Sequence, residues 1–333
     1  MKILYIIGAG FSKAQYQGLP ITGEVLKQIS IADFLDFDEK QSVKKMITDM
    51  STQERFSADD CSNFEKVYDY ASSWGLIPGE HHFAKTTILK SLHVFLKPSE
   101  DAETYLYNKF LTNKCDSEDV IATTNYDILI DRAIFEREKI HINYKKEIFN
   151  SAEGRINYGF SPTEVVGIGP TPHLKIDQSS ILLLKLHGSF NWRSSSTARL
   201  SKAGESLTGS TISKSDIDAT KLAISRKFVE LKYGEGFIRP GLSKNKQIET
   251  SELFTKIWDC FRMELDRCDG IIIIGSSVMN SQTDPYLREL IEKSGKKWIY
   301  IETKDVDKFE KWLNSNRFLD VLRLYIKKYI PWK

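Results

Sequence analysis

The chain of 333 residues carries 47 Lys and Arg against 45 Asp and Glu, a formal charge of +2. A balance so close to neutral excludes a protein that grips nucleic acid or an anionic membrane mainly through its overall field. With 41% hydrophobic and 28% charged residues, the composition is that of an ordinary globular chain, long enough for two domains or for one large unit with insertions.

The first apolar run, Ile3 to Ile7, is too short to cross a membrane, and no signal-peptide cleavage pattern follows it. It reads as a buried strand, ending at Gly8-Ala9-Gly10-Phe11-Ser12. Helical patterns over 24–35, 64–73 and 82–96 then predict a helical insertion over about 24–115, longer than a normal crossover. A second run, Val120 to Ala122, ends in Thr123-Thr124-Asn125-Tyr126-Asp127. Residues 141–180, with Gly, Pro and aromatic residues, predict an irregular insertion. The third run, Ile181 to Leu186, overlaps Lys185-Leu186-His187-Gly188-Ser189-Phe190-Asn191-Trp192. Residues 194–220 hold 12 Ser or Thr among 27 positions and predict a mobile loop.

In 252–268, Leu253, Phe254, Ile257, Trp258, Phe261 and Leu265 share one helical face. The fourth run, Ile271 to Ile274, leads to Gly275-Ser276-Ser277. Thr283-Asp284-Pro285 then opens a helix, with Asp284-Pro285 as N-cap and first turn. The fifth run, Trp298 to Ile301, ends at Glu302. A tail, 305–333, carries two short helical patterns around Phe309, Trp312, Leu322 and Tyr325. Continuous apolar runs alternating with helices predict an α/β fold, a doubly wound, Rossmann-like parallel sheet with a helical insertion.

Each strand end permits a plain reading and a chemical one. Gly8 and Gly10 form a tight turn or admit a pyrophosphate, and the full G-x-G-x-x-G is broken by Lys13. Asn125 and Asp127 cap the helix that begins near Ile128 or face a ligand beyond the sheet. His187 is structural or a proton acceptor, since imidazole suits proton transfer near neutral pH. Glu302 is a solvated charge or a ribose ligand. All lie beyond buried runs, so in a parallel sheet they converge on one edge. The four cysteines, at 61, 115, 260 and 268, form no C-x-x-C pair, which excludes a zinc ribbon and suits a reducing compartment.

The ordered set GAGFS, TTNYD, LHGSFNW and IIIIGSS resembles the sirtuin family of NAD-consuming enzymes. GLPITGEVL, FIRPGLSKN and TDPYLREL resemble its bacterial, antiphage-defence branch. The resemblance spans about residues 1–305 and implies a single sirtuin-like NAD-binding domain over 1–333. It implies NAD as substrate, no metal, and hydrolysis of the nicotinamide–ribose bond to deplete NAD. Asn125, His187 and Asp127 match the catalytic positions. Gly8, Ala9, Gly10, Phe11, Ser12 and Thr124 match the pyrophosphate and ribose side, and Gly275, Ser276 and Glu302 the adenosine end. Position 302 is commonly Asn in deacylating sirtuins.

Two departures from the deacylases stand out: the zinc ribbon is missing, and Leu19-Pro20 is followed by Ile21-Thr22-Gly23 where they carry an acidic-Phe-Arg segment. Expected partners are further copies of the chain and an activating protein, such as a HerA-like ATPase or a nucleic-acid-guided protein. No membrane and no direct nucleic-acid contact is expected, and a cytoplasmic location is expected. The alternatives are a module that senses NAD or an NAD-derived nucleotide without turnover, and an NAD-dependent protein deacylase or ADP-ribosyltransferase.

Overall fold

In the computed structural model, β1 (Ile3–Ile7) is followed by α1 (Ala9–Gln15), α2 (Val25–Ile31), α3 (Phe37–Ser51), α4 (Ala58–Ser62), α5 (Phe64–Ser73), α6 (Glu80–Phe95) and α7 (Tyr105–Asn113). Next come β2 (Val120–Thr123), α8 (Leu129–Ile140), β3 (Leu182–Lys185), β4 (Trp192–Ser194) and β5 (Val229–Leu231). The chain ends in α9 (Lys244–Thr250), α10 (Glu252–Arg267), β6 (Gly270–Ile274), α11 (Pro285–Lys293), β7 (Trp298–Ile301), α12 (Val306–Asn314) and α13 (Arg317–Ile326). The structure describes residues 1–73, 80–96, 103–140, 181–189, 192–194, 229–231, 237–238, 240–241, 244–279 and 284–326. The expected irregular insertion at 141–180 and residues 195–220 of the expected loop lie outside these.

The five apolar runs form one five-stranded sheet of order β3-β2-β1-β6-β7, with every neighbouring pair parallel. β1, β2 and β6 are buried along their whole length, which is why their sequences are continuously apolar rather than alternating. Each Ile buried there contributes about 1.5–3 kcal/mol of transfer free energy. The chain steps outward from β1 to β2 and β3, then returns to the other side of β1 for β6 and β7. The strand order therefore reverses between β1 and β6, the place where open α/β sheets bind ligands.

Helices α2 to α6 hold a second hydrophobic cluster of their own, built on Val25, Ile29, Met46, Val67, Ile88 and Leu92. The α3 helix opens with a reciprocal capping box between Asp36 and Glu39. By contrast, Leu106, Tyr107, Phe110 and Leu111 of α7 lie in the main core with the sheet. The two C-terminal helices are tied to that core by a buried pair: Lys114 Nζ lies 2.9 Å from Asp320 Oδ2, and Trp312 Nε1 donates to Asp320 Oδ1 at 2.9 Å. The short parallel pair β4–β5 is separate from the main sheet.

Candidate active site

The strand register sets the site. Ile7 pairs with Thr123 and Ile274, Thr123 with Lys185, and Ile274 with Ile301, which makes one row across the carboxyl end of the sheet. One residue beyond that row stand Leu186, Thr124, Gly8, Gly275 and Glu302. Two residues beyond stand His187, Asn125, Ala9, Ser276 and Thr303. Of the candidates named from sequence, Gly8, Ala9, Thr124, Asn125, His187, Gly275, Ser276 and Glu302 thus share one edge, and Asn125 and His187 are at the same level beyond adjacent strands.

Asn125 is buried, its amide Nδ2 donating to Ser12 Oγ at 2.9 Å and its backbone N–H to Thr123 Oγ1 at 3.0 Å. Ser12 Oγ in turn lies 2.8 Å from the Tyr107 hydroxyl. Burial, reinforced by the Asp127 charge, pushes the Tyr107 phenol far up, so it stays protonated. This buried chain of amide, hydroxyl and phenol orients Asn125 from α1 and α7. Thr124 is half-buried, and its N–H donates to Ile7 O at 3.3 Å.

Asp127 is buried and caps α8, its Oδ1 accepting from the Leu129 N–H at 3.0 Å. The capping reading of this residue therefore holds, alongside its place at the edge. Burial pushes its carboxyl up, with Lys185, the Leu129 amide and Ser12 opposing the rise. Lys185 Nζ, wholly buried at the end of β3, donates to Asp127 O at 2.6 Å and to Asp131 Oδ2 at 2.8 Å. Its signal was present in the sequence: a lysine inside a buried apolar run demands an acidic partner.

His187 is also buried, and three contacts fix it. Its carbonyl accepts from the Ile238 N–H at 2.8 Å. Gly188 next to it holds φ +79°, a left-handed turn that favours glycine. The Tyr126 ring lies 5.9 Å from its ring, centre to centre. Its Nε2 is 2.8 Å from Asp284 Oδ2, although neither atom meets the angular requirement of a hydrogen bond. Asp284, the N-cap of α11 as the sequence predicts, accepts through Oδ1 from the Leu287 N–H at 3.2 Å. Burial pushes its carboxyl up, but His187 and then Lys244 pull it down further, to below the usual carboxylate value. Lys244 Nζ also contacts both oxygens of Glu65, at 2.9 and 3.0 Å, and so links this group to α5. Asp284 as a neighbour of His187, and Lys244 with Glu65, have no signature in sequence, because the contacts join distant segments.

The glycine end is packed differently. The N–H groups of Gly8 and Gly10 donate to Ile274 O and Gly275 O, each at 2.9 Å. A Cβ on Gly10 would stand 2.7 Å from both Gly275 O and Thr303 Oγ1, so glycine is needed for close backbone approach. Gly275 has φ +56°. Ser276 is buried, its Oγ accepting from the Val278 N–H at 3.3 Å. Ala9 is exposed at the edge. Phe11 is fully buried, stacked on Tyr107 and edge-on to Phe110 and Phe309, so its ring serves the core. Glu302 is exposed, its Oε1 accepting from the N–H groups of Thr303 at 2.9 Å and Lys304 at 3.1 Å. Thr303, buried against Gly10 and Gly275, belongs to this end although the sequence did not single it out.

A doubly wound sheet with its polar residues gathered at the carboxyl edge defines the class, a Rossmann-like nucleotide-binding fold. A family model for the SIR2-like domain matches residues 119–321, more than half of the chain, and the protein belongs to that family. No curated protein matches the chain. Membership implies a sirtuin-like, NAD-related function and use of NAD.

The residues at the β2–β3 side fit the nicotinamide and ribose groups of NAD. They offer a buried amide, hydroxyls, a carboxylate and an imidazole, with His187 Nε2 and Asp284 Oδ2 as buried polar atoms lacking a well-aligned partner. On the β1–β6 side, the amides of Gly8 and Gly10 are committed to the fold. Among the described residues, no group of three or more His, Cys, Asp or Glu is placed to hold a metal, and no helix is long and apolar enough to cross a membrane.

Proposed function

We propose that this SIR2-like protein is an NAD glycohydrolase, cleaving the nicotinamide–ribose bond to give nicotinamide and ADP-ribose. The observation that carries the reading is that Asn125 and His187 each stand two residues beyond paired positions of β2 and β3, with Asp127 buried two residues further along the chain from Asn125. The bond in NAD joins a cationic ring to ribose, so nicotinamide leaves as a neutral molecule while positive charge develops on the sugar. The general demands are those of glycoside cleavage: stabilise that charge and deliver a nucleophile.

Asn125, oriented by Ser12, positions a water or a ribose hydroxyl. Asp127 offers a buried carboxyl whose oxygens accept hydrogen bonds and which, when ionised, acts more strongly in this water-poor setting than in solvent. His187 accepts the proton that water gives up as its oxygen adds to the ribose carbon. A well-placed base of this kind contributes about 10²–10⁴-fold. The missing C-x-x-C pairs favour hydrolysis over deacylation, because the zinc ribbon of the deacylases is not encoded.

The likeness to the antiphage branch extends the proposal: the protein is an effector that empties the cell of NAD. Such an effector must be silent until triggered, and we assign the trigger to a separate protein or to assembly of copies. The test is incubation of purified protein with NAD, alone and with the product of the neighbouring gene, scoring free nicotinamide. Release of nicotinamide in either arm supports the reading. NAD binding without release in both arms favours a sensing module.

A further inference from the structure

We propose that Asp284 is the positioning residue for His187, holding the ring through Nε2 so that Nδ1 is the atom left to take the proton. The inference rests on the hydrolase reading and deepens it. The two oxygens of Asp284 have divided tasks. Oδ1 accepts from the Leu287 N–H at 3.2 Å and so anchors the carboxylate to the first turn of α11. Oδ2 lies 2.8 Å from Nε2 of His187. Both residues are buried, and among the described residues neither Nε2 nor Oδ2 has a well-aligned hydrogen-bond partner. Off-angle contacts of this kind often tighten only when substrate binds.

The consequence concerns the tautomer. An ionised carboxylate is acceptor-only, so neutral His187 facing it carries its proton on Nε2 and exposes the lone pair of Nδ1. When Nδ1 takes a proton from water, the ring becomes a cation, and the carboxylate at Nε2 stabilises it without itself being protonated. Lys244 and the Leu287 amide hold the Asp284 carboxyl down against the effect of burial whatever the charge on His187, and the His187 cation adds its own pull once it forms. Lys244 reaches Glu65 as well, so the support for this pair extends into α5. The backbone at 187 is clamped independently by Ile238 and by the turn at Gly188, which leaves ring orientation as the freedom that Asp284 removes.

Asp284→Asn separates positioning from folding. Asn is as good an N-cap as Asp, so its Oδ1 keeps the Leu287 N–H and α11 is preserved. Its Nδ2 then faces Nε2 as a donor, which forces the proton of neutral His187 onto Nδ1 and blocks the base. In protein labelled with ¹⁵N-histidine, two-dimensional NMR that correlates ring nitrogens with ring carbon-bound protons assigns the tautomer directly, without any turnover. The expected result is the Nε2–H form in the wild type and the Nδ1–H form in Asp284→Asn. Nicotinamide release should show kcat lower by about 10²-fold or more, KM within about twofold, and an unchanged melting temperature. Asp284→Glu should restore part of kcat.

An identical tautomer in both proteins, together with full activity of Asp284→Asn, would overturn the proposal. If His187→Ala also retains full activity, the hydrolase assignment of His187 fails. If His187→Ala is inactive while Asp284→Asn is normal, only the positioning role fails.

Discussion

Nδ2 of Asn125 donates to Oγ of Ser12 at 2.9 Å, so a residue two positions beyond β2 is oriented by the helix that follows β1. Ser12 is joined on its other side to Tyr107, which makes α1 and α7 parts of the site although neither belongs to the strand carrying Asn125.

Ser12→Ala removes the acceptor of a buried amide, which costs about 1–3 kcal/mol. The melting temperature should fall modestly, and NAD turnover should fall by more than the stability loss explains, because Asn125 is free to rotate. Thermal melting and nicotinamide release on the same preparation check this. Unchanged turnover would show that Asn125 is held by its backbone alone.

Asp127→Asn is expected to trade activity for stability. Burial raises the Asp127 carboxyl above its usual value, so the fold favours the protonated form. The contribution is fully present below the ordinary carboxylate pKa and is lost as pH rises through the raised one. A neutral Asn mimics the favoured form and still caps α8. Denaturant titrations should find the variant more stable than wild type at neutral pH and equal to it at acid pH, with turnover largely lost. Lower stability at neutral pH would contradict the sign.

Lys185→Met removes one partner of a buried ion pair and should cost about 3–5 kcal/mol. Lys185→Met with Asp131→Leu should regain much of that, since neither member of the pair is then left as an unpaired buried charge. Urea unfolding of the single and double variants gives the comparison, and a single variant as stable as wild type would remove Lys185 from the support of the site.

Glu302 fixes a carboxylate at the end of β7 through two backbone amides. If Glu302 lies at the adenosine end, as the sirtuin resemblance implies, that charge would repel a 2′-phosphate, so NAD should be consumed in preference to NADP. Glu302→Gln should narrow the ratio of kcat/KM values, and an unchanged ratio would leave Glu302 a turn residue only.

The sheet was legible because strands buried on both faces must be continuously apolar, and all five runs appear as its strands. Asp284-Pro285 likewise takes the cap and first-turn positions its chemistry suggests. The α3 helix was harder to see: its buried face includes Glu39 and Ser42 beside Val43, Met46 and Met50, which dilutes the periodicity. Its capping box, Asp36 with Glu39, was the readable signal. β4 and β5 are three residues each and pair across a long stretch of chain, so no local pattern announces them. In the site, residues at strand ends were legible from their position after apolar runs. Their partners were not: Ser12 with Tyr107, His187 with Asp284 and Lys244 with Glu65 are joined only by folding. Phe11 shows the opposite limit, since a residue inside a glycine motif can have its ring packed in the core.

The most direct measurement is nicotinamide release from NAD by the purified wild type, His187→Ala and Asn125→Ala, each supplied with the neighbouring gene product. The wild type is expected to release nicotinamide and ADP-ribose in equal amounts, while both variants remain folded by thermal melting and fall to background. Consumption of NAD by both variants at the wild-type rate would contradict the assignment of this edge of the sheet as the hydrolytic site.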